Sequence, residues 1–130
     1  MNLSQNGLST KPCIRTQSGE HPLEVKLANS FFSRFCGLMF RKSLGENHGL
    51  LITRCPSVHS LFMRFVIDVV YLDCAGVVTR CAPTLKPWRA SLGRSRLKGH
   101  VTAHALELQA GSIERMQILE GNRVLHPCFT

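Results

Sequence analysis

The sequence contains no apolar stretch long enough to cross a membrane and no Cys-x-x-Cys pair among its six cysteines. A bilayer-spanning helix needs about 20 consecutive apolar residues, so no such helix is predicted. The first 20 residues are rich in Asn, Ser, Gln and Thr. They lack the apolar run of a secretory signal, which favours the cytoplasm. In that compartment we expect the cysteines to be reduced and to behave as small apolar residues.

The motifs of several common enzyme classes are also missing. The chain has no phosphate-binding glycine loop, no Gly-x-Ser-x-Gly elbow and no His-Glu-x-x-His sequence. The signatures of P-loop nucleotide binding, of serine hydrolases and of zinc proteases are therefore absent. No cofactor is predicted.

Acidic residues are few, with eight Asp and Glu against 16 Lys and Arg, for a formal charge of +8. None occurs between Cys74 and Leu106. The basic residues of this acid-free segment are Arg80, Lys86, Arg89, Arg94, Arg96 and Lys98. A field of one sign attracts anionic ligands and polyanions. The alternative is a solvated loop whose charges maintain solubility.

The length of 130 residues, with 44% apolar and 18% charged residues, fits one globular domain. We expect residues 1–11 to be flexible and residues 12–130 to form that domain. Residues 66–72 are β-branched and apolar on both faces, which predicts a central buried strand. Residues 73–76 predict a tight turn with Gly76 at a positive φ, and residues 77–82 the returning strand.

Two short helices and several further strands complete the predicted fold. Helical spacing of apolar residues between Phe31 and Met39 indicates one helix. Ser112 can cap a second helix that runs to Leu119. A long basic loop is predicted over residues 83–98, followed by a strand over residues 100–108. The fold class is mainly β, at the margin of α+β: a small β-sandwich or open barrel of about six short strands with one or two short helices.

The residues from Arg34 to Arg41 resemble the Arg-x-x-Gly-Leu-Met-x-Arg signature of the domain of unknown function 192 family. Further matches follow in the same order: Gly49, Phe62-Met63, residues 68–73, Gly76-Val77, residues 106–111 and Gly121-Asn122. The chain departs from the family pattern with Phe62 in place of Trp, a shorter segment over residues 64–67, and Asn122 in place of Asp. The resemblance covers about residues 23–124. It implies a compact, mainly-β fold and no established activity.

Three arginines and one buried acid are the first candidates for a site. Arg34 and Arg41 are seven residues apart, so a helix would place them on one stripe, where two guanidiniums could clamp an anion. Asp68 lies within the apolar strand, and its carboxylate needs a cation or several N–H donors. Arg34, Arg41 or Arg64 could supply the cation. The alternative for Asp68 is a general base in a cleft.

The close pairs of potential metal ligands are Cys55 with His59 and His100 with His104. Together they could form a tetrahedral zinc site. On a strand, however, His100 and His104 would lie about 13 Å apart. No metal is therefore predicted, and ordinary strand histidines are the simpler interpretation.

These features favour a non-enzymatic binding module that recognises an anionic small molecule or an acidic protein surface. The predicted site is the patch where the Arg34–Arg41 helix meets the His59–Asp68 segment, including Arg64. The basic loop extends it with Lys86, Trp88, Arg89, Arg94, Arg96 and Lys98. A small hydrolase or transferase that uses Asp68 or His59 is one alternative. Nucleic-acid binding through residues 83–98 is the other, although one aromatic residue is few for that function.

Overall fold

The computed structural model describes residues 11–28, 45–55, 57–59 and 65–129. About half of these residues (48%) lie in strands and 8% are helical, which confirms the mainly-β prediction. The elements are β1 (Cys13–Thr16), β2 (Gly19–Pro22), β3 (Glu24–Ala28), β4 (His48–Ile52), β5 (Ser57–His59), β6 (Ile67–Leu72), β7 (Val78–Leu85), β8 (Ala90–Leu92), β9 (His104–Gln109), α1 (Ser112–Met116), β10 (Arg123–Leu125) and a 3-10 helix (Pro127–Phe129). The ten strands of the described ranges exceed the predicted six or so because several are only three to five residues long.

The strands form one five-stranded sheet and two smaller ones. The large sheet has the order β3-β4-β9-β6-β7 and is antiparallel except for the parallel β3–β4 pair. A second sheet has the order β10-β1-β2. β5 and β8 pair as a separate two-stranded ribbon. β7 is therefore the last strand of the large sheet, and β8 does not continue that sheet.

β6 lies between β9 and β7, and each of its six residues is buried. This agrees with the strand predicted from its apolar, β-branched sequence. Val70 packs in a core on one face of the sheet with Leu106 and Leu108. Val69 and Tyr71 pack in a second core on the other face. Both faces of the sheet are covered, which explains why β6 has no alternation of apolar and polar residues.

The turn after β6 also forms as predicted. The Asp73 carboxylate accepts hydrogen bonds from the backbone N–H groups of Ala75 and Val77, both at 2.9 Å. Gly76 has φ +89°, and a Cβ there would lie 2.5 Å from the carbonyl oxygen of Val124. Glycine is required at this position for its conformation and for the close approach of the backbone.

Three predicted boundaries differ from the structure. β7 continues to Leu85 and residues 90–92 form β8, so the predicted basic loop is partly strand. β9 begins at His104 and not at residue 100. α1 ends at Met116, and Gly111, with φ +92°, is its N-cap, whereas the Ser112 side chain makes no capping bond.

The helix predicted around Phe31–Met39 and most of the predicted flexible N-terminus lie outside the described residues. Within the described ranges no helix is long and apolar enough to cross a membrane. The five cysteines of those ranges are free thiols.

Candidate anion-binding groove

The predicted patch around the Arg34–Arg41 helix lies mostly beyond the described ranges. Arg34, Arg41 and Arg64 are outside them. Of His59, the structure describes its position in β5, where it pairs with Ala90. The structure therefore does not test whether these residues come together.

Asp68 is buried on the first core face, and backbone N–H groups surround its carboxylate. One oxygen accepts a hydrogen bond from the N–H of Thr84 at 2.9 Å. The other accepts from Gly111 at 3.1 Å and from Ile113 at 2.9 Å. These three donors satisfy the need for a cation or several N–H groups that the position of Asp68 in an apolar strand predicts. The contacts join β6 to the end of β7 and to the first turn of α1, which supports a structural role for Asp68.

An open groove of about 460 Å³ lies between the second half of β7 and the β8 segment. Its lining residues are Arg80, Ala82, Pro83, Thr84, Leu85, Ala90, Ser91, Leu92 and Arg94. It exists because β7 is the edge of the large sheet while β8 pairs with β5. Pro83 lacks an N–H group, and Thr84 has φ +59° with its N–H bonded to Asp68, so this end of β7 is poorly suited to strand pairing.

Arg80 is the partly buried cation of the groove. It pairs with Tyr71 across the β6–β7 ladder. Its Nε is buried and has no hydrogen-bond partner among the described atoms. Its Nη1 donates a long hydrogen bond of 3.4 Å to the backbone oxygen of Arg94. Because this Nε is closed to solvent, an anion in the groove would contact the guanidinium through its Nη groups.

A second cation, Arg94, lines the same groove and is exposed. No acidic side chain is among the described lining residues. The groove therefore presents two guanidinium groups without a neutralising carboxylate in its wall. Two planar forks of N–H donors suit a carboxylate or a phosphate.

Ser91 connects the groove to the large sheet. The Tyr71 hydroxyl donates towards the Ser91 backbone oxygen at 3.0 Å and towards its hydroxyl oxygen at 2.8 Å. Burial raises the pKa of Tyr71 above its ordinary value, although the Ser91 hydrogen bond acts in the opposite direction. The phenol therefore remains a hydrogen-bond donor at neutral pH, and it holds β8 beside the sheet.

The segment that follows β8 is anchored along the β6–β7 hairpin. The N–H of Arg96 donates to the Thr79 oxygen at 2.7 Å. Further along, His100 Nδ1 lies 2.7 Å from a carboxylate oxygen of Asp73. Because both contacts hold this segment to the hairpin, they fix the position from which Arg94 reaches the groove.

Asp73 is the acid that anchors this segment. Burial acts to raise its pKa, but hydrogen bonds from His100, Val77 and Ala75 outweigh burial, and the pKa lies below its ordinary value. The carboxylate is therefore ionised at neutral pH. The prediction that Asp73 serves the turn is confirmed by its backbone contacts, and the His100 contact adds a second role.

The other predicted site residues of the basic loop are not among those that line the groove. Trp88 is 56% exposed in the turn before β8, with φ +63°. Lys86, Arg89, Arg96 and Lys98 are exposed as well. Of the six loop residues predicted for the site, Arg94 is the one that lines the groove.

The possible metal ligands have separate partners. His100 contacts Asp73, whereas His104 Nδ1 accepts a hydrogen bond from the Arg54 N–H at 2.9 Å. The Cys55 thiol donates to the Ser57 oxygen at 2.8 Å. In the described ranges no three His, Cys, Asp or Glu side chains are grouped closely enough to hold a metal ion.

Glu107 is a buried acid that the sequence did not single out. It lies in β9 between Leu50 of β4 and Val69 of β6, on the second core face. Its exposed fraction is 4%. Burial raises the pKa of Glu107 from 4.5 to about 8. At neutral pH this side chain is therefore mostly protonated in the folded protein.

The fold and groove define a small mainly-β domain with a basic cleft at the edge of an open five-stranded sheet. Residues 13–126 match the DUF192 family, described as Uncharacterized ACR. The chain belongs to this family, which confirms the resemblance found in its sequence.

The relatives agree with this assignment. The chain is 37% identical over 117 residues to a UPF0127 protein of Pyrococcus furiosus, covering 85% of this chain and 97% of that protein. It is 38% identical over 81 residues to a UPF0127 protein of Pyrococcus horikoshii, covering 58% of this chain and 67% of that protein.

Two solved structures share the fold. A Sinorhizobium meliloti protein, provisionally named a transcription regulator, has TM-score 0.73 and 25% identity, covering 88% of this chain and 90% of its own. A protein of unknown function from Novosphingobium aromaticivorans has TM-score 0.75 and 22% identity, covering 93% of this chain and 90% of its own. The second likeness concerns the fold alone.

Proposed function

We propose that this chain is a non-enzymatic binding module whose groove between β7 and β8 binds an anionic small molecule. The observation that carries the proposal is the pair of cations, Arg80 and Arg94, that line one groove. No described lining residue is acidic. An anion bound there would accept hydrogen bonds from Arg80 and would be attracted by both charges.

The size of the groove favours a small molecule over an acidic protein surface. A space of about 460 Å³ falls within the range of small-molecule sites, roughly 300–1,000 Å³. The acid-free segment around it would attract anions to this side of the protein. The Arg34–Arg41 patch, with His59 and Arg64, remains a proposed extension of this site, and the cytoplasm remains the proposed compartment.

Nucleic-acid binding is the second candidate. The Sinorhizobium meliloti relative carries the provisional name of a transcription regulator. Trp88 and the cations Lys86, Arg89, Arg96 and Lys98 are exposed and neighbour the groove-lining residues in the chain. Binding of this kind would fall steeply with salt because bound DNA or RNA releases counterions.

Thermal melts with inorganic phosphate, citrate and short DNA and RNA test both candidates. Two substitutions, Arg80→Gln and Arg94→Gln, remove the cations of the groove. Arg94 is exposed, so Arg94→Gln keeps the test valid if Arg80→Gln unfolds the protein. Phosphate or citrate at about a hundred times its dissociation constant should stabilise the native protein by about 2.7 kcal/mol. That corresponds to a rise in Tm of several degrees for a domain of this size. Both variants should lose most of the rise.

Lys26→Gln is the matched control, since it removes one charge from an exposed residue of β3, at the opposite edge of the sheet. This variant should keep the full rise in Tm. An equal rise in wild type, Arg80→Gln and Arg94→Gln would show that the anion binds elsewhere and would contradict the proposal. Stabilisation by DNA or RNA alone, lost at moderate salt, would favour the second candidate.

A further inference from the structure

We infer that the ligand of the β7–β8 groove is an organic anion with an aliphatic body, and that the groove holds its acidic head and its apolar chain at opposite ends. This inference rests on the proposed anion-binding function and goes beyond it by naming the ligand class. It follows from the order of the lining residues along the two chain segments.

β7 leads into the turn at residues 86–89, and β8 leads back from it, so the two sides of the groove run in opposite directions. Arg80, early in β7, contacts the backbone of Arg94, which follows β8. The two cations therefore lie together at the end of the groove that is distant from the turn. Leu85 and Ala90 flank the turn at the other end.

Towards the turn the groove carries apolar side chains, which Thr84 and Ser91 interrupt. The apolar lining residues are Leu85 and Ala90 beside the turn, and Ala82, Pro83 and Leu92 between the turn and the cations. Leu92 is 71% exposed although it belongs to a strand. A single exposed leucine is common on protein surfaces, but here it continues a wall of four other apolar residues. A ligand chain lying along this wall would remove that surface from water.

Chain length is therefore the variable to measure. Burial of one methylene group contributes about 0.8 kcal/mol, which is about a fourfold change in affinity. The groove is open, so each methylene of a bound chain is buried only in part. We expect affinity to rise about two- to fourfold per methylene until the chain extends beyond the groove. An inorganic anion would gain nothing from the apolar wall.

Calorimetric titration with the straight-chain carboxylates from acetate to octanoate tests the inference, with inorganic phosphate and the matching neutral alcohols as comparison probes. In the wild-type protein the carboxylates should bind more tightly as the chain lengthens. Leu92→Gln should flatten this dependence, so that octanoate loses more affinity than acetate or phosphate does. The matched control is Val101→Gln, because Val101 is 80% exposed and does not line the groove. This control should retain the wild-type dependence.

The outcomes separate the ligand class from the underlying function. If acetate and phosphate bind through Arg80 and Arg94 but chain length has no effect, the aliphatic body is refuted and the anion-binding function stands. If alcohols bind as tightly as carboxylates and Arg94→Gln changes neither, the groove does not recognise anions and both proposals fail. If no anion binds to the wild-type protein, both proposals fail as well.

Discussion

Replacing Asp68 with asparagine should lower the free energy of unfolding by about 3 kcal/mol. The carboxylate accepts hydrogen bonds on both oxygens, from Thr84 on one side and from Gly111 and Ile113 on the other. An asparagine can place its oxygen on one side only, and its NH₂ group then faces a backbone N–H. Urea unfolding of the two proteins, with the slope m compared, measures the loss.

Ser112→Ala is the matched control for this prediction. Ser112 is fully buried in the same turn of α1, but its hydroxyl has no partner among the described atoms. Its removal should leave the free energy of unfolding unchanged or raise it by up to about 1 kcal/mol, because a buried hydroxyl without a hydrogen bond is unfavourable. If Asp68→Asn is as stable as the wild type, the three N–H contacts do not hold β6, β7 and α1 together.

The need for partners at Asp68 was predictable from sequence, but the identity of the partners was not. A carboxylate within residues 66–72 requires a cation or N–H donors wherever the strand is buried. The donors belong to Thr84, Gly111 and Ile113, which are 16 to 45 positions away in the chain. No local pattern relates these positions to Asp68. The sequence therefore left open whether an arginine or backbone N–H groups satisfy this carboxylate.

β6 and its turn were predicted because their signals are local. A run of β-branched residues and an Asp at the start of a turn that ends in glycine determine structure within a few positions of themselves. The mainly-β class follows from several such runs. The pairing of β8 with β5 could not be predicted, because it depends on contacts between segments more than 30 residues apart.

The groove was missed because of a register shift. Simple alternation would place Val78, Arg80 and Ala82 on one face of β7. In the structure Tyr71 of β6 pairs with Arg80 of β7, but the next residue, Leu72, pairs with Val78, so the register between the two strands shifts by one residue. Val78 therefore packs in the first core, whereas Ala82 packs against the second. A bulge of this kind is not evident from residue types alone. Arg80 was recognised as part of the acid-free segment, but its place at the groove was not.

The burial of Glu107 was not predicted from the sequence, for a related reason. The sequence Leu106-Glu107-Leu108 has the alternation of a strand with one solvent-facing side. The sheet is instead covered on both faces, so the residue between the two leucines is buried. The consequence is an acid whose proton equilibrium differs strongly between the folded and unfolded protein.

This difference predicts that Glu107→Gln will stabilise the protein increasingly as pH rises from about 5, with the full effect above about pH 8, and will remove part of its pH dependence. The pKa of Glu107 is about 8 when folded, against an ordinary value of 4.5. Between these values the folded protein holds a proton that the unfolded chain has released, so stability falls as pH rises, by up to about 1.4 kcal/mol per pH unit. The full effect is on the order of 5 kcal/mol. Glutamine is neutral throughout and should show none of it.

The measurement is urea unfolding of both proteins at several pH values from about 5 to 9, with the difference between them as the result. The difference is needed because burial lowers the pKa of His104 and His126. These histidines therefore make the protein more stable as pH rises towards the pKa of an unfolded histidine. In the wild-type protein this gain opposes the loss that Glu107 causes, and the difference between the two proteins removes it. Glu114→Gln, at an exposed position of α1, should follow the wild-type curve. If Glu107→Gln follows that curve too, Glu107 is ionised in the folded protein, and a cation or N–H donors must then stabilise its charge.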